Sequence, residues 1–319
     1  MSVTAFPPNC YVQQNFNIPL VPIQLDEKGP TIWCKLEYLN PSGSTKDRIA
    51  NFILGKAVRS GKLKKGGYVV EASSGSTSIS MALVCAQYCL NFIAVMPEGV
   101  SNERSMIIRS YGGEVVFSPK DEGVLGSIRV AQEIADKKSA FLPRQFSNLE
   151  NPASHRRQTA IEILKEIPSN RVDAVVSGVG TGGTLVGLYS GFVDFGCAVK
   201  PVAAKPMTGK ALADMECCSF SSRIPGVVDG LSEIYSNADL PGLVELEVDD
   251  DLALEATRRI IKKGFPVGPS SGLNYVAACQ VAEELGPGAN VVTVFADRME
   301  RYFSTELFRE LAAERAPVF

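Results

Sequence analysis

The sequence predicts an α/β fold of two open domains with mainly parallel sheets. Short β-branched runs alternate with helical patterns from about residue 30 onward, the spacing of strand–helix–strand units whose parallel sheets are covered on both faces. The length, 319 residues, suits about two domains of roughly 150 residues each. Hydrophobic residues are 45% and charged residues 21% of the chain, a globular balance that excludes disordered and fibrous classes.

In chain order, Ile32–Leu36 is the first expected strand, and the turn cluster at residues 40–45 opens a helix over Asp47–Ser60. Tyr68–Glu71 is the next strand and leads through a serine-rich loop into the amphipathic helix Thr77–Cys89. Phe92–Met96, the helix Asn102–Tyr111 and the strand Glu114–Phe117 follow. Ala174–Ser177 ends in a glycine-rich loop ahead of another helix, with Ala198–Ala203 after it. The helix Asp250–Lys263 and the strand Val291–Phe295 close the series. In such sheets ligands sit where loops leave strand ends and enter helix N-termini.

Charge and composition narrow the function classes. The formal charge is −3, from 32 basic and 35 acidic residues mixed along the chain, so neither a nucleic-acid nor a membrane partner is expected. No apolar run reaches the roughly 18 residues of a bilayer span, and residues 1–14 lack a signal pattern, which makes a cytoplasmic protein the expectation. The 8 cysteines contain no CxxC pair and fit neither a zinc cage nor a short disulfide framework. The vicinal pair Cys217-Cys218 reads as structural rather than redox-active. His155 is the single histidine, so no His-rich metal site exists. Its polar run His155-Arg156-Arg157-Gln158 reads as a solvated helix start.

Three loops stand out. In Asn40-Pro41-Ser42-Gly43-Ser44-Thr45-Lys46-Asp47-Arg48 a lysine falls in the first turn of a helix. The helix dipole disfavours a cation there, which depresses its pKa as a nucleophilic or Schiff-base lysine requires; a solvated surface lysine is the plainer reading. The loop Glu71-Ala72-Ser73-Ser74-Gly75-Ser76-Thr77-Ser78 sets 5 hydroxyl side chains and a glycine at a helix start, a ready seat for a carboxylate or phosphate, or simply a serine cap. In Ser177-Gly178-Val179-Gly180-Thr181-Gly182-Gly183-Thr184 the 4 glycines let backbone N–H groups close around phosphate oxygens. Gly178, Gly180 and Gly183 also satisfy the dinucleotide spacing G-x-G-x-x-G. The acidic residue expected about 20 positions on is missing, so a NAD-dependent dehydrogenase stays a distant alternative.

Together these loops resemble the cysteine synthase and cystathionine β-synthase family, the fold-type-II pyridoxal-phosphate enzymes with a tryptophan synthase β-like architecture. The resemblance runs from Pro19-Leu20-Val21 through Lys35-Leu36-Glu37, Asn40-Pro41, Gln145-Phe146 and Asn151-Pro152 to Gly268-Pro269-Ser270-Ser271-Gly272 and Glu300-Arg301-Tyr302-Phe303-Ser304-Thr305. It implies that pyridoxal 5'-phosphate is the cofactor, held as an internal aldimine by Lys46. Gly180, Thr181, Gly182, Gly183 and Thr184 match the phosphate cup, and Ser76 the position that touches cofactor and substrate. Ser73, Ser74 and Thr77 match the loop that grips the substrate carboxylate, with Gln145 as its side-chain partner. Ser270 matches the hydroxyl at the pyridine nitrogen, which leaves that nitrogen unprotonated and disfavours a long-lived carbanion. The favoured path then removes the Cα proton, with Lys46 as base, and expels a β-substituent to leave an α-aminoacrylate. The resemblance also implies a larger cofactor-binding domain of residues 1–37 plus 149–319, a smaller mobile domain of residues 38–148, and a homodimer.

Departures from the family pattern concern the second substrate. Ser76 stands where the family has asparagine, and Gly226-Val227-Val228-Asp229-Gly230 replaces a glycine-rich stretch without a carboxylate. Asp229 is either a catalytic acid–base group or the cap of an Asp-Gly turn. The expected reaction is β-replacement or β-elimination on a small L-amino acid, most like O-acetyl-L-serine plus sulfide giving L-cysteine. An L-cysteine lyase releasing sulfide and a diaminopropionate-type synthase are the alternatives.

Overall fold

The computed structural model describes residues 17–309 apart from 74, 101, 208–220, 222 and 228–229. Strands β1 (Leu20–Ile23), β2 (Ile32–Lys35), β6 (Ala174–Gly178), β7 (Lys200–Met207), β8 (Val244–Asp249) and β9 (Val291–Val294) form a 6-stranded sheet in the order β1-β2-β9-β6-β7-β8. Strands β3 (Tyr68–Ala72), β4 (Asn91–Pro97) and β5 (Glu114–Ser118) form a separate 3-stranded sheet. Every pairing is parallel except β1 with β2. The helices are α1 (Lys46–Arg59), α2 (Ser76–Tyr88), α3 (Asn102–Ser110), α4 (Gly123–Lys138), α5 (Glu150–Ser154), α6 (Ala160–Glu166), α7 (Gly183–Asp194), α8 (Glu233–Ser236), α9 (Asp250–Lys262) and α10 (Pro269–Leu285). None of the helices among the described residues is long and apolar enough to cross a membrane.

Side-chain alternation puts a core on each face of the large sheet. Ile32, Cys34, Ala174, Val176 and Val291 join Leu273, Ala277 and Val281 of α10 on one face. Val175, Val292 and Val294 join Ile163 of α6 and Leu188 and Phe192 of α7 on the other. The small sheet repeats the pattern, with Val69, Phe92 and Ala94 against α1 and α2, and Val70, Ile93 and Val95 facing Ala131 of α4. Each such aliphatic side chain contributes about 1.5–3 kcal/mol relative to an exposed one.

Every strand read from the sequence is present, most within a residue or two of the expected bounds. The strand expected at Ala198–Ala203 instead starts at Lys200 and continues through Lys205 and Pro206, paired with Glu247 and Val248 of β8. The edge strands β1 and β8 were not anticipated. Pro22 sits in β1, which an edge tolerates because one row of its backbone groups has no partner.

Beneath the lysine loop lies a buried charge network. Arg48 donates from Nε and Nη2 to the Glu37 carboxylate at 2.7 and 2.6 Å, and from Nη1 and Nη2 to Glu162 at 2.8 and 2.7 Å. Lys35 Nζ, fully buried, meets Glu162 at 3.1 Å and Glu166 at 2.9 Å and donates to the Ile18 carbonyl. Burial pushes the Glu37 carboxyl up, but the Arg48 guanidinium, with Lys35 and the Asn40 amide, outweighs it and holds the group below its ordinary value.

Removing one member of a buried pair leaves the rest uncompensated, a loss of about 3–5 kcal/mol. Arg48→Met is therefore expected to lower the unfolding free energy by about that amount, measured by urea denaturation at neutral pH. Because Glu37 is depressed in the folded protein, its contribution is present above the ordinary carboxylate range and lost as pH falls through the folded value. The wild-type and variant stabilities should thus converge in acid. A variant within 1 kcal/mol of wild type at neutral pH, on the order of a surface pair, would contradict this.

Candidate active site

The lysine loop is clamped before the lysine is placed. Asp47 accepts the Ser42 N–H at 2.6 Å and bonds the Ser42 hydroxyl, while Arg301 donates to the carbonyls of Ser42 and Gly43. Gly43 has φ +83°, and a Cβ there would fall 2.9 Å from the Arg298 side chain, so glycine is required twice over. Thr45 N–H then donates to the Ala296 carbonyl at 2.8 Å, just past β9. Lys46 opens α1 with its half-buried side chain at the wall of a cavity of about 150 Å3. Loss of water pushes its pKa down, and the carboxylates of Asp297 and Glu37 oppose that shift in part. A lysine in this setting is a nucleophile and base in waiting rather than a solvated surface group.

Across the cavity, the loop after β3 brings Ser73, Ser76 and Thr77 to the start of α2. Thr77 Oγ1 donates to Gln145 Oε1 at 2.6 Å, and Gln145 Nε2 donates to the Ala72 carbonyl at 2.7 Å. The hydroxyls and the open N–H groups of the first helical turn make an anion seat. Ser76 instead donates to Asp297 Oδ2 at 3.2 Å, which ties the small-sheet loop to the end of β9.

The third wall is the loop between β6 and α7. Gly182 has φ +75°, while at Gly180 a Cβ would sit 2.3 Å from the Gly226 carbonyl. Gly183 packs under Asn151, where a Cβ would lie 1.8 Å from Oδ1; it supports the loop but does not line the cavity. Gly180, Thr181, Gly182 and Thr184 do line it, as does Ser270 from the first turn of α10. Asn151 links the walls, its Nδ2 donating to the Gln145 carbonyl and to Thr181 Oγ1, each at 2.9 Å. Ser74 and Asp229 lie outside the described residues, as do Cys217 and Cys218.

The histidine reading is corrected. His155 is 1% exposed and heads a π-helical turn, not a solvated helix start. Its Nε2 lies 3.3 Å from Thr184 Oγ1 and its Nδ1 3.0 Å from Thr159 Oγ1. Burial, with the charges of Arg48 and Lys46 nearby, pushes its pKa well below the ordinary value, so the ring is neutral. A neutral imidazole donates to one of these hydroxyls and accepts from the other, fixing Thr184 at the mouth of the glycine loop. Three cavity residues drew no attention in the sequence as ligand groups: Arg104, Asp297 and Asn274. Asp297 follows β9 at a strand end, a position open to notice; Arg104 carried no signal at all.

These groups fit pyridoxal phosphate. The glycines of the β6–α7 loop leave a cradle of backbone N–H groups that side chains would fill, and Lys46, the one lysine lining the cavity among the described residues, has its charge disfavoured. Lys46 would hold the carbonyl carbon, the 180–184 loop the phosphate, and Ser270 the pyridine ring; when bound, the cofactor draws electrons from an amino acid's Cα.

Comparison with known proteins agrees. The profile of the family described as "pyridoxal-phosphate dependent enzyme" matches residues 12–297. A cysteine synthase of Staphylococcus aureus is 38% identical over 291 residues, covering 89% of this chain and 91% of that protein. The structure of an O-acetylserine dependent cystathionine β-synthase from Helicobacter pylori superposes with a TM-score of 0.84 at 31% identity, covering 95% of this chain and 100% of the other. A hydrogen sulfide-producing enzyme from Fusobacterium nucleatum gives 0.82 at 32% identity, covering 93% and 100%. The nicotinamide reading falls with this match, and the chain belongs to the pyridoxal-phosphate dependent enzymes.

Proposed function

We propose that the protein is a cytoplasmic homodimer that catalyses β-replacement on a small L-amino acid, most like a cysteine synthase using O-acetyl-L-serine and sulfide. One observation supports it above all: a base lysine, a carboxylate seat and a phosphate cradle line the same cavity. In this reading Thr77, Ser73, Ser74 and Gln145 hold the substrate carboxylate, which turns the Cα–H bond toward Lys46. Lys46 Nζ takes the Cα proton as the β-substituent departs with its bonding electrons, and returns that proton to Cα once the nucleophile has added at Cβ. Ser270 would meet the pyridine nitrogen with a hydroxyl rather than a carboxylate and so would not hold it protonated, which favours loss of a β-substituent over transamination.

A second reading, sulfide release from L-cysteine, is supported by the structural likeness to hydrogen sulfide-producing enzymes. One of them, 33% identical with a TM-score of 0.81, is described as an aspartate-to-asparagine variant holding an α-aminoacrylate intermediate. In this reading Asp229 supplies the carboxylate that moves a proton. Hydrosulfide needs no deprotonation near neutral pH, whereas a thiol leaving group or a water or amine nucleophile gains from a carboxylate that moves a proton.

Purified holoenzyme given β-substituted amino acids with and without sulfide is expected to convert O-acetyl-L-serine plus sulfide to L-cysteine. Lys46→Ala should lose this turnover and the cofactor's lysine-bound visible band while keeping its fold by circular dichroism. Full activity in that variant would sink the assignment. Asp229→Asn is expected to cut L-cysteine breakdown about 10²–10⁴-fold and to spare the first half-reaction of O-acetyl-L-serine. Equal losses in the two assays would mean displaced substrate, and no loss in either would leave Asp229 a turn residue. For the smaller unit at residues 38–148, we propose closure onto the cofactor when the substrate carboxylate binds. Small-angle scattering should then report two chains per particle and a smaller radius of gyration on adding L-alanine; a single-chain mass or an unchanged radius contradicts one or the other half.

A further inference from the structure

Glu71 is the penultimate residue of β3, 4% exposed, and stands directly behind the loop that carries Ser73 and Thr77. It does not line the cavity, and its carboxylate meets the chain crossing from the small sheet to α5. Oε1 accepts the Ala72 N–H at 3.0 Å and Oε2 accepts the Gln145 N–H at 3.2 Å, with the Arg144 N–H near enough to favour the carboxylate form. Arg144 holds φ +55°, in the left-handed region that a residue with a Cβ seldom adopts. Such a backbone persists only where its surroundings hold it; here the Ser147 and Asn148 N–H groups hold the Arg144 carbonyl from one side and the Glu71 carboxylate holds the Gln145 N–H from the other. The next residue is Gln145, whose side chain spans the Ala72 carbonyl and the Thr77 hydroxyl, and whose carbonyl receives Asn151.

We propose that Glu71 is a positioning residue for the amino-acid substrate: it fixes the main chain of Arg144 and Gln145, so that the Gln145 carboxamide and the Thr77 hydroxyl meet the substrate carboxylate. The inference rests on the carboxylate-seat reading above and extends it to a residue that never touches substrate. Burial pushes the Glu71 carboxyl up to about 8, against the pull of the Gln145, Ala72 and Arg144 N–H groups and of the Arg144 charge. Arg144 is the charged side chain that acts on it. Its strand partner is Ala94, which sets it on the sheet face covered by α1 and α2, where Thr77 and Ser78 of α2 are buried; Ala131 of α4 lies on the opposite face. The charged pair Arg129 and Glu133 of α4 is exposed and engaged with itself. Only the ionised carboxylate offers acceptors to all of these N–H groups, so the turn is held more firmly as pH rises through about 8.

The test uses holoenzyme and L-alanine, which has the amine and carboxylate but no leaving group. Its affinity is read from the shift of the cofactor's visible absorption. Glu71→Gln places an NH2 group against one of the backbone donors. It is expected to weaken L-alanine about tenfold while the cofactor band without amino acid stays as in wild type. The gain in affinity between pH 7 and pH 9 should be larger in wild type than in the variant; ionisation of the substrate amine is common to both and cancels in the ratio. Unchanged affinity, an unchanged pH ratio, or loss of the cofactor band in the variant alone would overturn the inference. Absence of the band in wild type would instead overturn the cofactor-site reading on which it stands. Should the variant fail to fold, amide hydrogen exchange of wild type decides. After correction for intrinsic rates, protection at Arg144 and Gln145 should rise from pH 7 to pH 9, and flat protection refutes the role.

Discussion

The hydrogen bond from Thr45 N–H to the Ala296 carbonyl, 2.8 Å long, ties the lysine loop to the carboxyl end of β9. Two of the cavity's three walls and the start of α10 are referred to that point. The chain leaves β2, turns through residues 40–45 and starts α1 at Lys46; without the tether the first turn of α1 would be free to drift from the large sheet. Arg301, itself buried, holds the same turn from the C-terminal side, and the isolated bridge between Ser44 and Asp297 repeats the tie one residue earlier. Ser76 reaches the same Asp297 from the small sheet. One short segment after β9 therefore locates the lysine, the carboxylate loop and, through Gly268 N–H to the Asp297 carbonyl, the start of α10.

Electrostatics around this segment are arranged by burial rather than by exposed pairing. Arg48 and Lys35 hold Glu37, Glu162 and Glu166 in one buried network near Lys46, and Glu37 offsets the lysine's loss of water only in part. Lys46 and His155 both have their charged forms disfavoured, for the same first reason, loss of water. The result is a cavity with a neutral imidazole under the β6–α7 loop and a lysine able to give up its proton. Such tuning is what acid–base and imine chemistry at neutral pH require.

Much of this was legible because it is local. Lys46 at a helix start, the hydroxyl cluster at 73–78 and the glycines at 178–183 each announce themselves within ten residues, and the strand ends where they sit follow from β-branched runs. The hydroxyl and glycine loops owe their place to backbone geometry, which composition records. What escaped is long-range. His155 has a polar neighbourhood in sequence yet is buried because Gly187 of α7, with no Cβ, lets that helix close to within contact of it. Strand β8 does alternate, Val-Glu-Leu-Glu-Val-Asp, but a charged half-exposed edge is easily passed over as a loop. Arg104 and Glu71 are single charged residues in otherwise ordinary elements, and their roles exist only once α3 and the 142–146 segment have been packed against the carboxylate loop.

The account stands on Lys46 being the residue that carries the cofactor. Borohydride reduction of the holoenzyme, proteolysis and mass spectrometry locate that bond without any substitution. A pyridoxyl mark confined to the peptide containing Lys46 is the predicted result. A mark on another lysine, or none on a protein that keeps its visible band before reduction, would contradict it.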